Sequence, residues 1–328
     1  MAQQQPLKDK TVSLVLGSGG ARGLAHIGAI AELERAGAEI KAIAGSSMGA
    51  LVGGIYAAGK LDAYTQWVQS LEQSDILSLL DWTFSGGGFI RGKKIIAKLS
   101  ELVGETNIED CAIDFTAVTV DIDAGRELWL DKGPLFDAIR ASIAIPGIFT
   151  PHRYQNRTLV DGGLLNPIPV APTLRCMTDL TIVVDVNGPE DLQLNGASRA
   201  KATKPEPAER SEKDNNSLMG KLKDFMDGFS SEDKPKETQP GLLAVMLRSL
   251  DVMEAAITRQ QLAAFQPDLV IRTPKNAAMV HEFHRASELI ELGKGRSRKA
   301  IEAMVSDGTQ TNLLTGGPES GSIEKETD

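Results

Sequence analysis

From Thr11 to Leu16 the chain is short, apolar and rich in β-branched residues (TVSLVL), which predicts a buried strand. The period then changes. Leu24, Ile27, Ile30 and Leu33 recur at helical spacing, predicting a helix over residues 24–36 that Gly37 closes. A second strand is predicted at Glu39–Ala44, followed by a glycine-flanked turn and a helix through Ala58. This order, strand-loop-helix-strand-turn-helix, opens a mainly parallel α/β sheet covered by helices on both faces. Further strands are predicted at residues 113–120, 127–130, 180–186 and 269–272, with a short fragment at Leu159–Val160. The segment TVDIDAGRELWL reads as two arms around Asp123-Ala124-Gly125, a hairpin.

From about Asn195 to Pro240 charged residues, Ser and Pro take over, the composition of an insertion rather than of core structure. Within it Leu218, Leu222, Phe225, Met226 and Phe229 can share one helical face. That face suits either a minor helix resting on the body or a lid that meets lipid. Residues 306–328 read as a disordered tail, which leaves a single domain over residues 8–305.

Composition narrows the function. A chain of 328 residues with 41% apolar content can bury a substantial core. A net charge of −9 gives no support to nucleic-acid binding. Cys111 and Cys176 lie in apolar sequence, too few for a disulfide framework, so a reduced compartment is expected. The start MAQQQPLKDK has no apolar signal core, and no apolar run approaches a membrane span. The expectation is a cytoplasmic protein with room for transient peripheral contact at the inner membrane.

The candidate chemistry sits in two turns. Gly17-x-Gly19-x-x-Arg22 nearly matches a dinucleotide-binding loop, but Arg22 stands where a small residue belongs. No Gly-Lys-Ser/Thr follows, so a nucleotide phosphate loop is excluded, and no cofactor or metal is expected. Gly45-Ser46-Ser47-Met48-Gly49 is a G-x-S-x-G pattern between a strand and a helix, the context of a nucleophile elbow, with Ser47 exposed at the turn. The earlier loop then gains another use. Backbone N–H groups of Gly19, Gly20 and Ala21 can face the charge that forms when a serine attacks an ester. Arg22 either supports an anionic head group or braces this loop.

Ser47 needs a base. Chain order permits a Ser–Asp–His triad ending in His281 or His284, while His26 and His152 suit packing or surface roles. The competing base is Asp161, delivered by a strand-like run to Gly162-Gly163 and followed by Asn166-Pro167. The same residue also suits a turn-capping aspartate. Composition does not choose between triad and dyad.

Ser18-Gly19-Gly20-Ala21-Arg22-Gly23, the elbow from Gly45 to Gly49, and Asp161-Gly162-Gly163, in this order, resemble the patatin-like phospholipase family, and within it compact bacterial RssA/YchK-type members. The segment Arg140–Pro151 (RASIAIPGIFTP) is similar to the family's stretch ahead of its aspartate. The resemblance covers about residues 12–170. It implies a modified α/β-hydrolase sheet and a serine acyl-ester hydrolase acting on lipid or other acyl esters. It also implies a Ser–Asp dyad, with Ser47 as nucleophile and Asp161 as general base. Gly19, Gly20 and Ala21 would then surround the oxyanion hole, with Arg22 and Gly23 supporting the loop. The rivals are a triad carboxylesterase and a weakly active lipid-sensing module.

Overall fold

Eight strands build one sheet in this computed structural model, which describes residues 5–83, 87–194 and 242–314. The strands are β1 (Thr11–Leu16), β2 (Glu39–Ser46), β3 (Asp114–Asp121), β4 (Arg126–Leu130), β5 (His152–Tyr154), β6 (Arg157–Asp161), β7 (Leu180–Gly188) and β8 (Leu269–Pro274). Hydrogen-bonded neighbours follow the order β5-β6-β3-β2-β1-β7-β8, with β4 on β3. The centre from β3 to β8 is parallel, whereas β4, β5 and β6 pair antiparallel. Around the sheet lie α1 (Ala25–Arg35), α2 (Met48–Ala57), α3 (Leu61–Gln69), α4 (Gln73–Leu79), α5 (Lys93–Val103), α6 (Leu135–Ser142), α7 (Leu242–Phe265) and α8 (Ala286–Leu314).

The strand alternation explains why both faces need cover. Leu14, Leu16, Ile182 and Val184 belong to the larger core, with Leu24, Ile30 and Ile55 from the helical segments. Val15 and Val183 point the other way, where Ile168, Val170 and Leu262 of α7 cover them. This is the helix-covered α/β sheet expected from the sequence pattern. The β1 prediction matches to the residue, and the predicted hairpin is the β3–β4 pair, with Gly125 at φ +64.

Three features depart from the pattern. Residues 20–24 form a tight 3-10 turn ahead of α1 instead of a shared helix start. Cys111 and Cys176 are only half-buried, and each Sγ approaches an oxygen, of Asn107 and Asp114 respectively. The helix α8 runs through Leu314, into the stretch read as a tail, since a long helix extends one bond at a time once nucleated. The insertion at 195–240, with its apolar helical face, and residues 315–328 lie outside the described residues.

The packing of α1 on α8 depends on two missing side chains. A Cβ on Gly28 would lie 2.0 Å from Ile290 O, and one on Gly293 would lie 2.1 Å from Ala25 O. Each helix therefore needs a glycine where the other's backbone crosses. Gly28→Ala or Gly293→Ala is expected to force the helices apart and lower stability by about 3 kcal/mol. Urea unfolding of each variant checks this, and an unchanged midpoint for either would reject the close crossing.

Candidate active site

Strand β3 brings the two candidate catalytic residues together. Along one edge it pairs Val118 with Ser46, the last residue of β2. The next residue, Thr119, pairs with Asp161, the last residue of the oppositely running β6. Because β4 occupies the other edge of Ala117–Asp121, β2 and β6 share an edge and meet end to end. Ser47 and Asp161 lie at that meeting point.

Ser47 has φ +56 and ψ −122, a strained conformation for a residue with a side chain. The elbow admits no bulk beside it. A Cβ on Gly45 would lie 2.4 Å from the Gly49 backbone, and one on Gly49 would lie 2.0 Å from Leu16 O. The Ser47 N–H donates to Ser142 Oγ (2.9 Å), and that hydroxyl donates to Val118 O (2.6 Å). Thus α6 holds the elbow through a buried hydroxyl, a contribution with no local signal in the sequence.

The Ser47 hydroxyl donates to Asp161 Oδ2 at 2.6 Å. Asp161 Oδ1 accepts from Gly163 N–H at 2.7 Å, so the residue both faces the serine and caps its own turn. Burial pushes its carboxyl up to about 7, with the negative charge of Glu254 adding to the effect. The Ser47 and Gly163 hydrogen bonds pull the other way.

His26 is fully buried, donates from Nε2 to Gly17 O at 2.9 Å, and is held to about 4 by burial. His152 Nε2 pairs with Asp137 Oδ1. His281 and His284 belong to the segment beyond β8, and among the described hydrogen bonds neither reaches Ser47 or Asp161.

The glycine loop is fastened on every side. Ser18 N–H donates to Pro167 O, Asn187 Nδ2 donates to Ser18 O, and Ala21 N–H donates to Val280 O at 2.9 Å. Gly20 has φ +55, and a Cβ there would lie 2.7 Å from the same carbonyl. The Ala21 amide is therefore committed to Val280, which narrows the expected trio of oxyanion donors to Gly19 and Gly20. Gly23 packs against the Met48 side chain and so joins this loop to α2.

Arg22 is bonded to its own loop and to the segment beyond β8. Its Nε donates to Gly19 O (3.2 Å) and its Nη1 to Lys275 O (3.0 Å). It faces Asp251, Glu254 and Asp185, so its charge is already compensated by carboxylates. An anionic head group has little to gain there.

Glu254, on α7, is the principal site residue that sequence reasoning missed. Its Oε2 accepts from Ser18 Oγ at 2.8 Å. A separate cavity of about 1090 Å³, lined by Ile96, Phe136, Arg140, Thr150 and His152, includes neither Ser47 nor Asp161 nor the glycine loop.

The patatin-like phospholipase family model matches residues 14–174. Uncharacterized NTE family proteins of Mycobacterium tuberculosis and Mycobacterium bovis are 38% identical to the chain, across 93% of it and 95% of their own length. The chain belongs to the NTE family of patatin-like phospholipases. A lysophospholipase NTE1 of Scheffersomyces stipitis is 33% identical over 56% of this chain, but only 12% of that protein is covered. As a family member the protein is a serine hydrolase of the lipid-degrading type, on the patatin-like α/β fold expected from the three motifs.

The raised carboxyl of Asp161 has a consequence for stability. The folded chain holds this proton more tightly than the unfolded chain. Its contribution to stability is therefore full below about pH 4 and is lost as pH rises toward about 7. Asp161→Asn removes that loss and is expected to gain about 2–4 kcal/mol over the wild type at pH 8, and little at pH 4. Unfolding curves at both pH values check this; an equal difference at both would contradict it.

Proposed function

We propose that this patatin-like phospholipase cleaves lipid acyl esters through a dyad of Ser47 and Asp161. The observation that carries the reading is the 2.6 Å hydrogen bond from Ser47 Oγ to Asp161 Oδ2. Asp161 accepts the serine proton as Oγ attacks the ester carbonyl. A carboxyl near 7 is a far better match to this task than an ordinary one near 4. Negative charge gathers on the carbonyl oxygen, toward which the Gly19 and Gly20 N–H groups are the candidate donors.

Collapse of the tetrahedral intermediate breaks the ester bond, and Asp161 returns its proton to the departing alcohol. The acyl group stays on Ser47. A water molecule then gives a proton to Asp161 and adds to the acyl carbonyl, and the fatty acid leaves as Ser47 regains its proton. The strained φ of Ser47 keeps Oγ at the tip of the elbow throughout.

The substrate class in this reading is a phospholipid, lysophospholipid or related ester taken from a lipid surface, by a cytoplasmic protein of the compact bacterial RssA/YchK type. No helix among the described residues is long and apolar enough to cross a membrane, so contact would be peripheral. Support comes from α7. Its inner side carries Glu254 and Leu262 toward the site and the sheet. Its outer side exposes Val245, Met246, Val252 and Met253, with Val252 70% exposed. Spacings of seven residues place these four on one stripe, which suits shallow insertion among lipid head groups.

Three experiments test the reading. Ser47→Ala is expected to abolish labelling by a fluorophosphonate probe. Both Ser47→Ala and Asp161→Asn should lower kcat/KM at least about 10³-fold, while His281→Ala and His284→Ala stay within about threefold. Full activity of Asp161→Asn, or loss of activity in either histidine variant, would overturn the dyad. For the surface, Val252→Asp with Met253→Asp should cut hydrolysis of phospholipid vesicles about tenfold or more and spare a soluble short-chain ester. Equal effects on both substrates would remove the case for membrane contact.

A further inference from the structure

Gly163 marks the point where two carboxylates converge. A Cβ placed on it would lie 2.8 Å from Glu254 Oε1, 3.0 Å from Ser18 Cβ and 3.1 Å from Asp161 Oδ1. Three parts of the site thus close on a space that only a glycine leaves open. One is the glycine loop, one is the turn that carries Asp161, and the third is α7, distant from both in sequence.

Glu254 touches the first two. Its Oε2 accepts from Ser18 Oγ at 2.8 Å, and Ser18 O in turn accepts from Asn187 Nδ2. Its Oε1 flanks Gly163, whose N–H is held by Asp161 Oδ1. A second tie binds α7 to the same turn, where Gln261 Nε2 donates to Asn166 Oδ1 at 2.7 Å. Packing alone gives no reason for an acid here. A methionine or leucine would fill the space without the cost of placing one buried carboxylate beside another.

We propose that Glu254 is a positioning residue for the Ser47–Asp161 pair, clamping the glycine loop through Ser18 and holding a second negative charge beside Asp161. The inference rests on the dyad reading above.

The charges around Glu254 come from several elements. Asp251 faces it from one turn earlier on α7, Arg22 from the 3-10 turn, and Asp161 from the end of β6. Asp185 on β7 faces Arg22, and Lys275 beyond β8 faces Asp251. Burial raises the Glu254 carboxyl above its usual range, with Asp251 adding to the effect, while the Ser18 hydrogen bond and Arg22 favour its ionised form. Arg22 gives two of its five N–H donors to the Gly19 and Lys275 carbonyls, and no ion pair between it and Glu254 is among the described contacts. The charge on Glu254 therefore bears on Asp161, and the two carboxyls titrate as a coupled pair. Glu254 strengthens the base without touching the reacting atoms.

The test compares pH profiles of kcat/KM on a soluble ester for the wild type, Glu254→Gln and Glu254→Met, each checked for folding by circular dichroism. Removing the charge should move the acid limb down by about one pH unit in both variants. At pH 6 each should then retain about five times more of its own plateau activity than the wild type does. Glu254→Gln still accepts from Ser18, so its plateau should stay above that of Glu254→Met.

An acid limb unmoved in a folded variant, with Ser47→Ala and Asp161→Asn both inactive, would overturn the role of Glu254 and leave the dyad standing. Activity surviving in Asp161→Asn would instead overturn the dyad. Should neither Glu254 variant fold, infrared titration of the wild type decides the matter. Two buried carboxylic-acid stretches that disappear in separate steps support the pair, and a single step rejects it.

Discussion

One edge of β3 is shared by two strands that run toward each other, and the spacing of the site depends on that shared edge. Ser46 and Asp161 occupy adjacent positions along it, opposite Val118 and Thr119. Backbone hydrogen bonds therefore set how far apart the serine and the carboxylate stand, with little left to side-chain flexibility. The buried hydroxyl of Ser142 adds a second constraint, since it ties the elbow amide to the Val118 carbonyl of the same strand. A shift of β6 by one residue would turn Asp161 to the opposite face of the sheet.

Burial then turns this geometry into chemistry. In the proposed dyad the carboxylate that faces Ser47 works without a histidine, so its own affinity for a proton must suit the reaction. Desolvation raises that affinity, and the charge of Glu254 raises it further. The cost is carried by the fold: Asp161 is held ionised where water would stabilise it better. Such local cost is characteristic of functional sites. The same environment explains Arg22. Three carboxylates surround it, and it serves the glycine loop as a brace.

The local pattern made much of this visible. A strand ending in G-x-S-x-G before an apolar helix has few physical uses, and Ser47 stood out for that reason. Asp161 was harder, because an aspartate before Gly-Gly is an ordinary turn former. In the structure Asp161 caps its own turn and also accepts the Ser47 hydroxyl. The Ala21 amide looked as available as its neighbours, and only the approach of the Val280 carbonyl removes it. Helix α7 escaped notice because apolar residues lie on its outer as well as its inner side, which blurs the helical period. Helix α8 escaped because Gly293 and Gly295 argue against a helix by propensity, although the α1 crossing requires the first of them.

Sequence alone determined the parts that depend on neighbours along the chain. These are the parallel α/β opening, the tight elbow around Ser47, and the glycine-rich loop ahead of α1. Tertiary structure decided which distant groups meet there. The pairing of β2 and β6 on one edge joins Ser47 to Asp161 across 114 positions, and α7 carries Glu254 to Ser18 across 236. The reason is physical. Dihedral preferences and hydrophobic period act within a few residues, whereas desolvation and charge coupling depend on what packs nearby, and the chain reaches those neighbours only by folding.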